Sequence, residues 1–474
     1  MPKSSIHKPQ HGPRIPAEAL IIPILLLSLC LFQKSASAAE PPPMHLTLEK
    51  AESIALRNEP AIAQAYFNAA AAGQVVREVR ASLFPQMTGD VMGVADSNSI
   101  SRALGAGDLI NNGNVTRVGA SGGLNNSGIY TRESNGVLFS QLITDFGRTN
   151  NYVAAARFNA LSAAQKTQLV RAQVLLMADQ AYFQVLEGNA LIRVANETIA
   201  TRQLVVDLTN ALVESKLRSE LDSSLAQVAL EEARLLLIQA IAKQKGAQAD
   251  LSTALGFRYP QSFALDDEKI KTPNEWAQLA ILIAEAMRNR PEAIAVRFRR
   301  DAALQNAIAE KKARLPVVSF LGAYGRTPAG NVVVQETYAV AGVNVEVPIL
   351  DGGRISARSS EATLTANAVS KEVEALEDQI ARDVNLAWLN VTLTRKRIEV
   401  TTSLLAHATQ AMELAKARYQ SGLASFVELS QAELGMTEAQ IQNTTAKYEY
   451  QIGLSALDFQ AGALKYVKPA PSAR

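Results

Sequence analysis

Apolar and small residues recur at helical spacing over one uninterrupted stretch in the second half of the chain, and this pattern is its dominant feature. No proline and no glycine occurs between Ile355 and Ser421. The pattern predicts one helix over about 354–422, which spans on the order of 100 Å at about 1.5 Å rise per residue. Because helices in globular domains are about three or four turns long, a helix of this length indicates a coiled coil or an extended bundle.

The same plan of elements occurs twice along the chain. Asn-x-Pro sequences at 58–60 and 289–291 each open an alanine-rich helical segment, 231 residues apart. Pro85 and Pro316 end those segments at the same spacing, because proline ends a helix and favours extended geometry in the residue before it. Internal repetition of this kind constrains the fold before any local assignment is made.

In each copy an Asp-x-Gly-Arg turn returns the chain from strand to helix, with Gly147 in the first copy and Gly352-Gly353 in the second. Glycine permits so sharp a turn because it lacks a Cβ atom. A very long helix follows each turn, and a second long helix is predicted over about 224–255 and 423–456. Gly188 lies inside the first very long helix and predicts a kink or a local interruption there.

Alternation of apolar and polar residues predicts two strands in each copy. It is clearest in 338–347, where alanine and valine occupy alternate positions and Asn344 and Glu346 lie on the opposite face. This alternation is typical of a membrane wall with an apolar outer face and a polar inner face. The other predicted strands are 316–325, 86–95 and 136–144. A soluble sandwich edge is the alternative, although two hairpins are too few for a sandwich in a chain of 474 residues.

The N-terminal region predicts a signal peptide over 1–38. A basic leader precedes an apolar run at 19–32 that is too short to span a bilayer as a stable helix, and Ala36-Ser37-Ala38 supplies the small-x-small pattern before a cleavage site. A retained N-terminal anchor is the alternative. Cys30, the only cysteine, is expected to leave with the signal, so the mature chain would hold no disulfide and no thiolate metal site.

The repeats predict the domain organisation: a first repeat over 39–256, a second over 257–462 and a C-terminal tail over 463–474. The first repeat holds 25 more residues between its strands than the second, within 96–136, and their glycine- and asparagine-rich composition predicts a mobile surface loop. The expected fold class is an α+β membrane protein that consists mostly of long antiparallel α-helices, with four β-strands in each protomer.

Four strands are too few to seal one chain against lipid. No stretch after residue 40 is apolar enough for a transmembrane helix, so a membrane segment would have to consist of strands. A four-stranded sheet has two open edges, which hydrocarbon does not tolerate, and closure needs at least about eight strands. We therefore expect several copies to pool their strands into one barrel and their helices into a second ring on the same axis.

At this point the sequence resembles the TolC-like outer-membrane efflux proteins, over about 46–462. The order of the motifs, repeated twice at consistent offsets, carries the resemblance. These motifs are Leu46-Thr47-Leu48-Glu49-Lys50-Ala51 with Asn58-x-Pro60, the prolines Pro85 and Pro316, the two Asp-x-Gly-Arg turns, and Tyr419-x-x-Gly422. The resemblance implies a homotrimer with a roughly 12-stranded pore in the bacterial outer membrane and a long α-helical barrel in the periplasm. It also implies docking to a periplasmic adaptor (membrane fusion) protein and an inner-membrane transporter.

The resemblance further implies that the turn after Tyr419-x-x-Gly422 forms the periplasmic entrance, with acidic residues at its narrowest point. Glu428 occupies the first acidic position and the neutral Gln431 the second, so the expected selection for cations is weaker than in the family. Tyr419 matches a residue that helps to hold the entrance shut by hydrogen bonding. For Glu428, an ordinary solvated helix residue is the alternative.

In the first copy the turn between the paired helices lacks the glycine, and Arg218 and Ser219 stand in that region instead. Ser219 is a candidate helix N-cap. The position aligned with Glu428 is Ser224, and Asp222 lies two residues earlier. Both residues are therefore candidates for the first copy's share of the entrance.

Composition and motifs argue against enzymatic or nucleic-acid-binding function. With 47 basic and 45 acidic residues, the chain offers no electrostatic case for nucleic acid. His45 and His407, the two histidines outside the signal, lie in unrelated places and give no metal-ligand cluster. The segment 119–123 matches the nucleophile-elbow pattern, but it lies in a Gly/Asn-rich loop and not in a strand-turn-helix setting. The sequence therefore predicts no enzyme and no cofactor.

The predicted function is the outer-membrane exit duct of a tripartite efflux system, a passive conduit for small molecules such as drugs or other toxic compounds. One alternative shares the architecture but exports polypeptides, as the outer-membrane component of type I protein secretion. An alternative of another class is a soluble periplasmic coiled-coil scaffold. Recovery from the soluble periplasm without detergent would favour the scaffold.

Overall fold

The structure, a computed structural model, describes residues 44–96, 130–266, 278–326 and 337–463. The predicted signal peptide, most of the predicted loop in the first copy, the segment 119–123 and nearly all of the C-terminal tail lie outside these described residues. In chain order the elements are β1 (Met44–Leu46), α1 (Leu48–Asn58), α2 (Pro60–Ala81), β2 (Gln86–Asp96), β3 (Tyr130–Thr144), α3 (Arg148–Glu214), α4 (Glu220–Ala254), β4 (Phe263–Leu265), α5 (Leu279–Asn289), α6 (Pro291–Lys312), β5 (Val317–Arg326), β6 (Thr337–Glu346), α7 (Arg354–Gln420) and α8 (Phe426–Gln460).

Long helices of matched length dominate both halves of the described chain. Helices α3 and α7 have 67 residues each, and α4 and α8 have 35 residues each. At about 1.5 Å rise per residue, α3 and α7 are each about 100 Å long. The predicted class of long antiparallel helices built on an internal repeat is confirmed.

Serine caps set where the second long helix of each copy begins. The side chain of Ser219 accepts a hydrogen bond from the Leu221 N–H, and the side chain of Ser425 accepts one from the Glu428 N–H. As a result α4 begins at Glu220, earlier than the predicted 224, and α8 begins at Phe426, later than the predicted 423. A capped start stabilises a helix by about 1 kcal/mol, which is enough to move a boundary.

Gly188 does not interrupt α3, and the interruption predicted there is wrong. The helix runs without a break from Arg148 to Glu214. A Cβ atom added at Gly188 would lie 2.8 Å from the Cα atom of Gln244 in α4. The glycine is therefore a packing residue that lets the backbones of the paired helices approach closely.

One four-stranded antiparallel sheet joins the two copies, with strand order β2-β3-β5-β6. Each copy contributes one hairpin, and β3 pairs with β5 across the repeat boundary, for example Phe139 with Gly322. The register of β3 shifts between Leu142 and Thr144, where the sheet approaches the helices. Strands β2 and β6 are the outer strands of this sheet, so each has one strand neighbour among the described residues.

The junctions between sheet and helices use the same device in both copies. Asp145 accepts hydrogen bonds from the N–H groups of Gly147 and Thr149, and Asp351 accepts them from those of Gly353 and Ile355. Gly147 and Gly353 have φ angles of 83° and 85°, so glycine is needed there. Each aspartate lies just before its helix and accepts a hydrogen bond from an N–H group in the first helical turn, so it acts as a cap for α3 or α7. The hydrogen bond from Ile355 lowers the pKa of Asp351.

The interior of the described helices is built largely from alanine, with a few large side chains at fixed places. Tyr182 is fully buried in α3, and its single O–H is shared between the carbonyl oxygens of Leu46 (3.3 Å) and Asp266 (3.0 Å) as hydrogen-bond acceptors. These bonds attach the small sheet of β1 and β4 to the middle of the long helix. Among the described residues, every helix is too short or too polar to serve as a membrane span.

Candidate functional site

The two inter-helix turns contact each other, and we call this region the tip, defined as residues 215–219 between α3 and α4 and residues 421–425 between α7 and α8. Arg218 of the first turn reaches the second. Its Nη2 donates to the carbonyl oxygens of Ala424 (3.0 Å) and Tyr419 (3.3 Å). Its guanidinium carbon lies 4.6 Å from the centroid of the Tyr419 ring. One cation therefore connects the two copies at the tip.

Tyr419 lies in the core under the tip, where its exposed fraction is 0%. Its ring meets Phe426 in an edge-to-face arrangement with 6.1 Å between centroids, and Leu230 and Leu429 pack in the same cluster. Its hydroxyl is buried and has no hydrogen-bond partner within the described ranges of the chain. The residue therefore links the two copies through its carbonyl oxygen and its ring.

Gly422 follows the end of α7 and takes a left-handed conformation, with a φ angle of 76°. Its N–H donates to the Tyr419 carbonyl at 3.1 Å, and the Leu423 N–H donates to the Arg418 carbonyl at 2.8 Å. In the first copy Lys216 takes the same conformation, with a φ angle of 61°. A non-glycine residue there is strained, because its Cβ atom crowds the backbone.

The structure corrects the register between the acidic positions of the two copies. Helices α3 and α7, their left-handed residues Lys216 and Gly422, and the starts of α4 and α8 all keep one offset of 206 residues. This offset pairs Asp222, and not Ser224, with Glu428. The sequence alignment failed here because a lysine takes the place of the marker glycine.

The acidic side chains lie in the first turns of α4 and α8. Glu428 is exposed and pairs with Arg418 at 3.2 Å, and Asp222 is half-buried. Carboxylates are favourable at helix N-termini, because the helix dipole is positive there. Gln431 and Ser224 are exposed. A surface pair such as Arg418–Glu428 contributes at most about 1 kcal/mol, so both partners keep freedom to rearrange.

The turn residues predicted at the strand junctions lie at the opposite end of the long helices. Gly353 caps the start of α7, whereas Gly422 follows its end. Pro316 directly precedes β5, and Pro85 directly precedes β2. The two sets of residues are therefore about 100 Å apart along the helix axis.

Arg218 is a residue whose role sequence reasoning missed. In the sequence, Arg218 marks only a turn in which the first copy lacks the glycine of the second copy. The available signal was a charged side chain inside a turn whose counterpart in the other copy, at the 206-residue offset, is the small Ala424. Because the alanine side chain is small, the second turn leaves room for the Arg218 guanidinium to reach it.

Comparison with known proteins agrees with this architecture. The profile of the family described as "Outer membrane efflux protein" matches residues 52–257 and 282–463. Outer membrane efflux protein BepC of Brucella suis biovar 1 (strain 1330) is 22% identical over 324 residues, which cover 68% of this chain and 70% of BepC.

A second relative is similar in both sequence and structure. Cation efflux system protein CusC of Escherichia coli (strain K12) is 25% identical over 328 residues, 66% of this chain and 69% of CusC. A solved structure of CusC superposes with a TM-score of 0.74 at 19% identity, covering 90% of this chain and 95% of that one. The fold is therefore that of a known outer-membrane channel, and the chain belongs to the outer membrane efflux protein family.

Proposed function

We propose that three copies of this chain form a passive exit duct for small molecules, with a shared strand barrel in the outer membrane and the long helices in the periplasm. One observation carries the proposal. A sheet of four strands, with β2 and β6 on its two edges, is attached to two helices that are each about 100 Å long. This combination suits a protomer that contributes one third of a strand barrel and two long helices to a common tube.

The number of strands supports a trimer. Three sheets of four strands supply twelve, which exceeds the minimum of about eight for a closed barrel. Closure would pair β2 of one protomer with β6 of the neighbouring protomer, and it would leave no open sheet edge facing lipid. Apolar side chains on these two strands, including Met87, Val91, Val343 and Val345, are exposed in the single chain.

The tip is proposed as the periplasmic entrance. Arg218 would hold the two turns of one protomer together, and Glu428 and Gln431 would line the narrowest point with Asp222 and Ser224 nearby. Opening would separate the paired helices, a movement of packed elements between discrete states. The energy for transport would come from an inner-membrane transporter, joined to the duct by a periplasmic adaptor, because the proposed duct is a passive conduit.

The names of the relatives favour efflux over polypeptide secretion. BepC is named an efflux protein and CusC a component of a cation efflux system. The neutral Gln431 reduces the acidic charge proposed at the entrance, so a duct restricted to cations is not expected. Small molecules are therefore the proposed cargo.

Planar-bilayer recording of the detergent-extracted full-length protein tests this proposal. We expect discrete single-channel currents, and we expect cell fractionation to recover the protein only with detergent. A protein found in the soluble periplasm that gives no current in a bilayer would contradict the proposal and favour the scaffold.

A further inference from the structure

A cavity lies beneath the tip, among α3, α7 and α8. Its volume is about 380 Å³, and the side chains that line it include Glu433 of α8, Arg202 and Glu197 of α3, and Met412 of α7. Glu433 lies five residues beyond Glu428 on the same helix, on the inward side. The cavity is therefore separate from the entrance residues, although it lies where the three helices must part for the tip to open.

Glu433 is a buried acid without a full set of partners. Its exposed fraction is 4%, and its Oε1 atom is buried with no hydrogen-bond partner among the residues that the structure describes. An ionised carboxylate in such a place is costly, because the lost hydration is not replaced. Burial raises the pKa of Glu433 to about 7, although the cations Arg202 and Lys416 act in the opposite direction.

The charged groups near Glu433 come from two of the helices at the cavity: Arg202 and Glu197 belong to α3 and Lys416 to α7. Glu232 of α4 is the ion-pair partner of Arg202. Arg202 is itself buried, and its Nη1 bonds the Ala229 carbonyl and pairs with Glu232 at 3.2 Å. The guanidinium thus bonds α4, and its buried Nε atom has no partner in the described part of the chain. The hydrogen bonds of Arg202 therefore hold α3 to α4.

We propose that Glu433 is a proton-binding site that links pH to the packing of the helices beneath the tip. The neutral carboxyl group stabilises the packing of α8 against α3 and α7, and its ionisation loosens that packing. The inference rests on the proposed function in one respect, that parting of these helices opens the duct. The proton-linked loosening itself is a property of the cavity.

The sign of the pH dependence follows from the direction of the shift. The packed state holds the proton up to about pH 7, whereas a hydrated carboxyl group has its ordinary pKa of 4.5. The contribution of this group to packing is therefore complete below pH 4.5 and is lost as the pH rises through 7. Between pH 6 and pH 8 the ratio of loosened to packed protein should rise about tenfold.

Hydrogen exchange of the amides in 429–437 measures this ratio in the intact, detergent-extracted protein. After correction for the intrinsic effect of pH on exchange, wild-type protection should fall about tenfold between pH 6 and pH 8. Glu433→Gln replaces the acid by a neutral group of the same shape, and its protection should stay flat. Glu438→Gln changes an exposed acid on the same helix, and it should behave as the wild type does.

The outcomes separate this inference from the proposed function. Wild-type protection that does not change with pH overturns the inference, and this arm needs no substitution. A Glu433→Gln protein whose protection still falls as in the wild type overturns it as well. Protein that shows the pH-dependent exchange but conducts no current in a bilayer would contradict the duct and leave the proton site standing.

Discussion

At the scale of single residues, the tip depends on the half-buried Arg218 and on the groups that accept its hydrogen bonds. Arg218 donates to two carbonyl oxygens of the second turn and lies over the ring of Tyr419. Hydrogen bonds with a charged partner contribute about 1.5–3 kcal/mol each when well formed, and a partly exposed cation–π contact about 0.5–1 kcal/mol. Solvent access at the tip reduces these values, so we expect the contacts of Arg218 to stabilise the closed tip by about 1–3 kcal/mol in total.

Replacing Arg218 by alanine should therefore favour the open tip. A loss of about 1.4 kcal/mol or more raises the ratio of open to closed states by at least about tenfold. Single-channel recording should show longer openings or a larger conductance than in the wild type. The control is Arg234→Ala, which removes an exposed arginine of α4 that pairs with its surface neighbour Glu231, at 2.6 Å. Equal currents from both variants would show that Arg218 does not hold the tip closed.

Reversing the charge at Glu428 should change which ions pass. If the residue lines the narrowest point, Glu428→Lys in three copies replaces a ring of carboxylates by a ring of ammonium groups, so the reversal potential in a salt gradient should move toward anions. Glu438→Lys makes the same charge change at an exposed position farther along α8 and should leave the reversal potential in place. An unchanged value in the Glu428 variant would remove this residue from the constriction.

Some residues at the tip could be predicted from sequence and others could not. Gly422 was predictable as the break after a long stretch without glycine or proline, whereas Tyr419 was singled out by the resemblance to the efflux family. Asp222 was missed as the partner of Glu428 because Lys216 adopts a backbone conformation that the sequence pattern assigns to glycine. The role of Arg218 depends on a contact between turns about 200 residues apart, which no local pattern contains.

At the scale of elements, the paired helices of the first copy depend on close backbone approach at Gly188. Helix α3 continues through this position although glycine weakens a helix interior by about 1 kcal/mol relative to alanine. The approach of Gln244 explains why this cost is tolerated. The sequence shows the glycine but not its neighbour in space. A glycine inside a helix is compatible with a helix break and with a close contact, and the sequence alone does not distinguish the two.

Gly188→Ala should destabilise the protein, because the new methyl group overlaps the backbone of α4 and the helices must shift by enough to cost about 1–3 kcal/mol. The midpoint of thermal unfolding in detergent should fall. Gly246→Ala changes a helix-interior glycine of α4 whose added Cβ atom meets no described residue within 4 Å, and it should raise stability by up to about 1 kcal/mol. A Gly188→Ala protein as stable as the Gly246→Ala protein would contradict the packing role.

The order and type of the elements were predictable because proline, glycine and the apolar period separate them clearly. The predicted strand 338–347 became Thr337–Glu346, and 316–325 became Val317–Arg326, shifts of one residue. The strand β3 starts at Tyr130, six residues before its predicted start, because its pairing with β2 extends into the end of the predicted loop 96–136. Residues 130–135 contain no glycine themselves, and the composition of the loop as a whole concealed the strand. Such pairing is a tertiary effect and overrides local propensity.

At the scale of the whole molecule, the chain is rich in helix surface and short of sheet. The long helices leave large apolar side chains exposed in the single protomer, among them Leu393 and Val400 on α7 and Val228 and Ile238 on α4. Full burial of one such side chain contributes about 1.5–3 kcal/mol, so neighbouring copies have much to gain by packing together. The same assembly would close the strands, so one event satisfies both parts of the protein.

The mass of the detergent-extracted full-length protein, measured by size-exclusion chromatography with light scattering and corrected for bound detergent, tests this central claim most directly. The account predicts a single species of three protomers that resists dissociation at low protein concentration. A stable folded monomer, soluble without detergent and with its four strands intact, would contradict it.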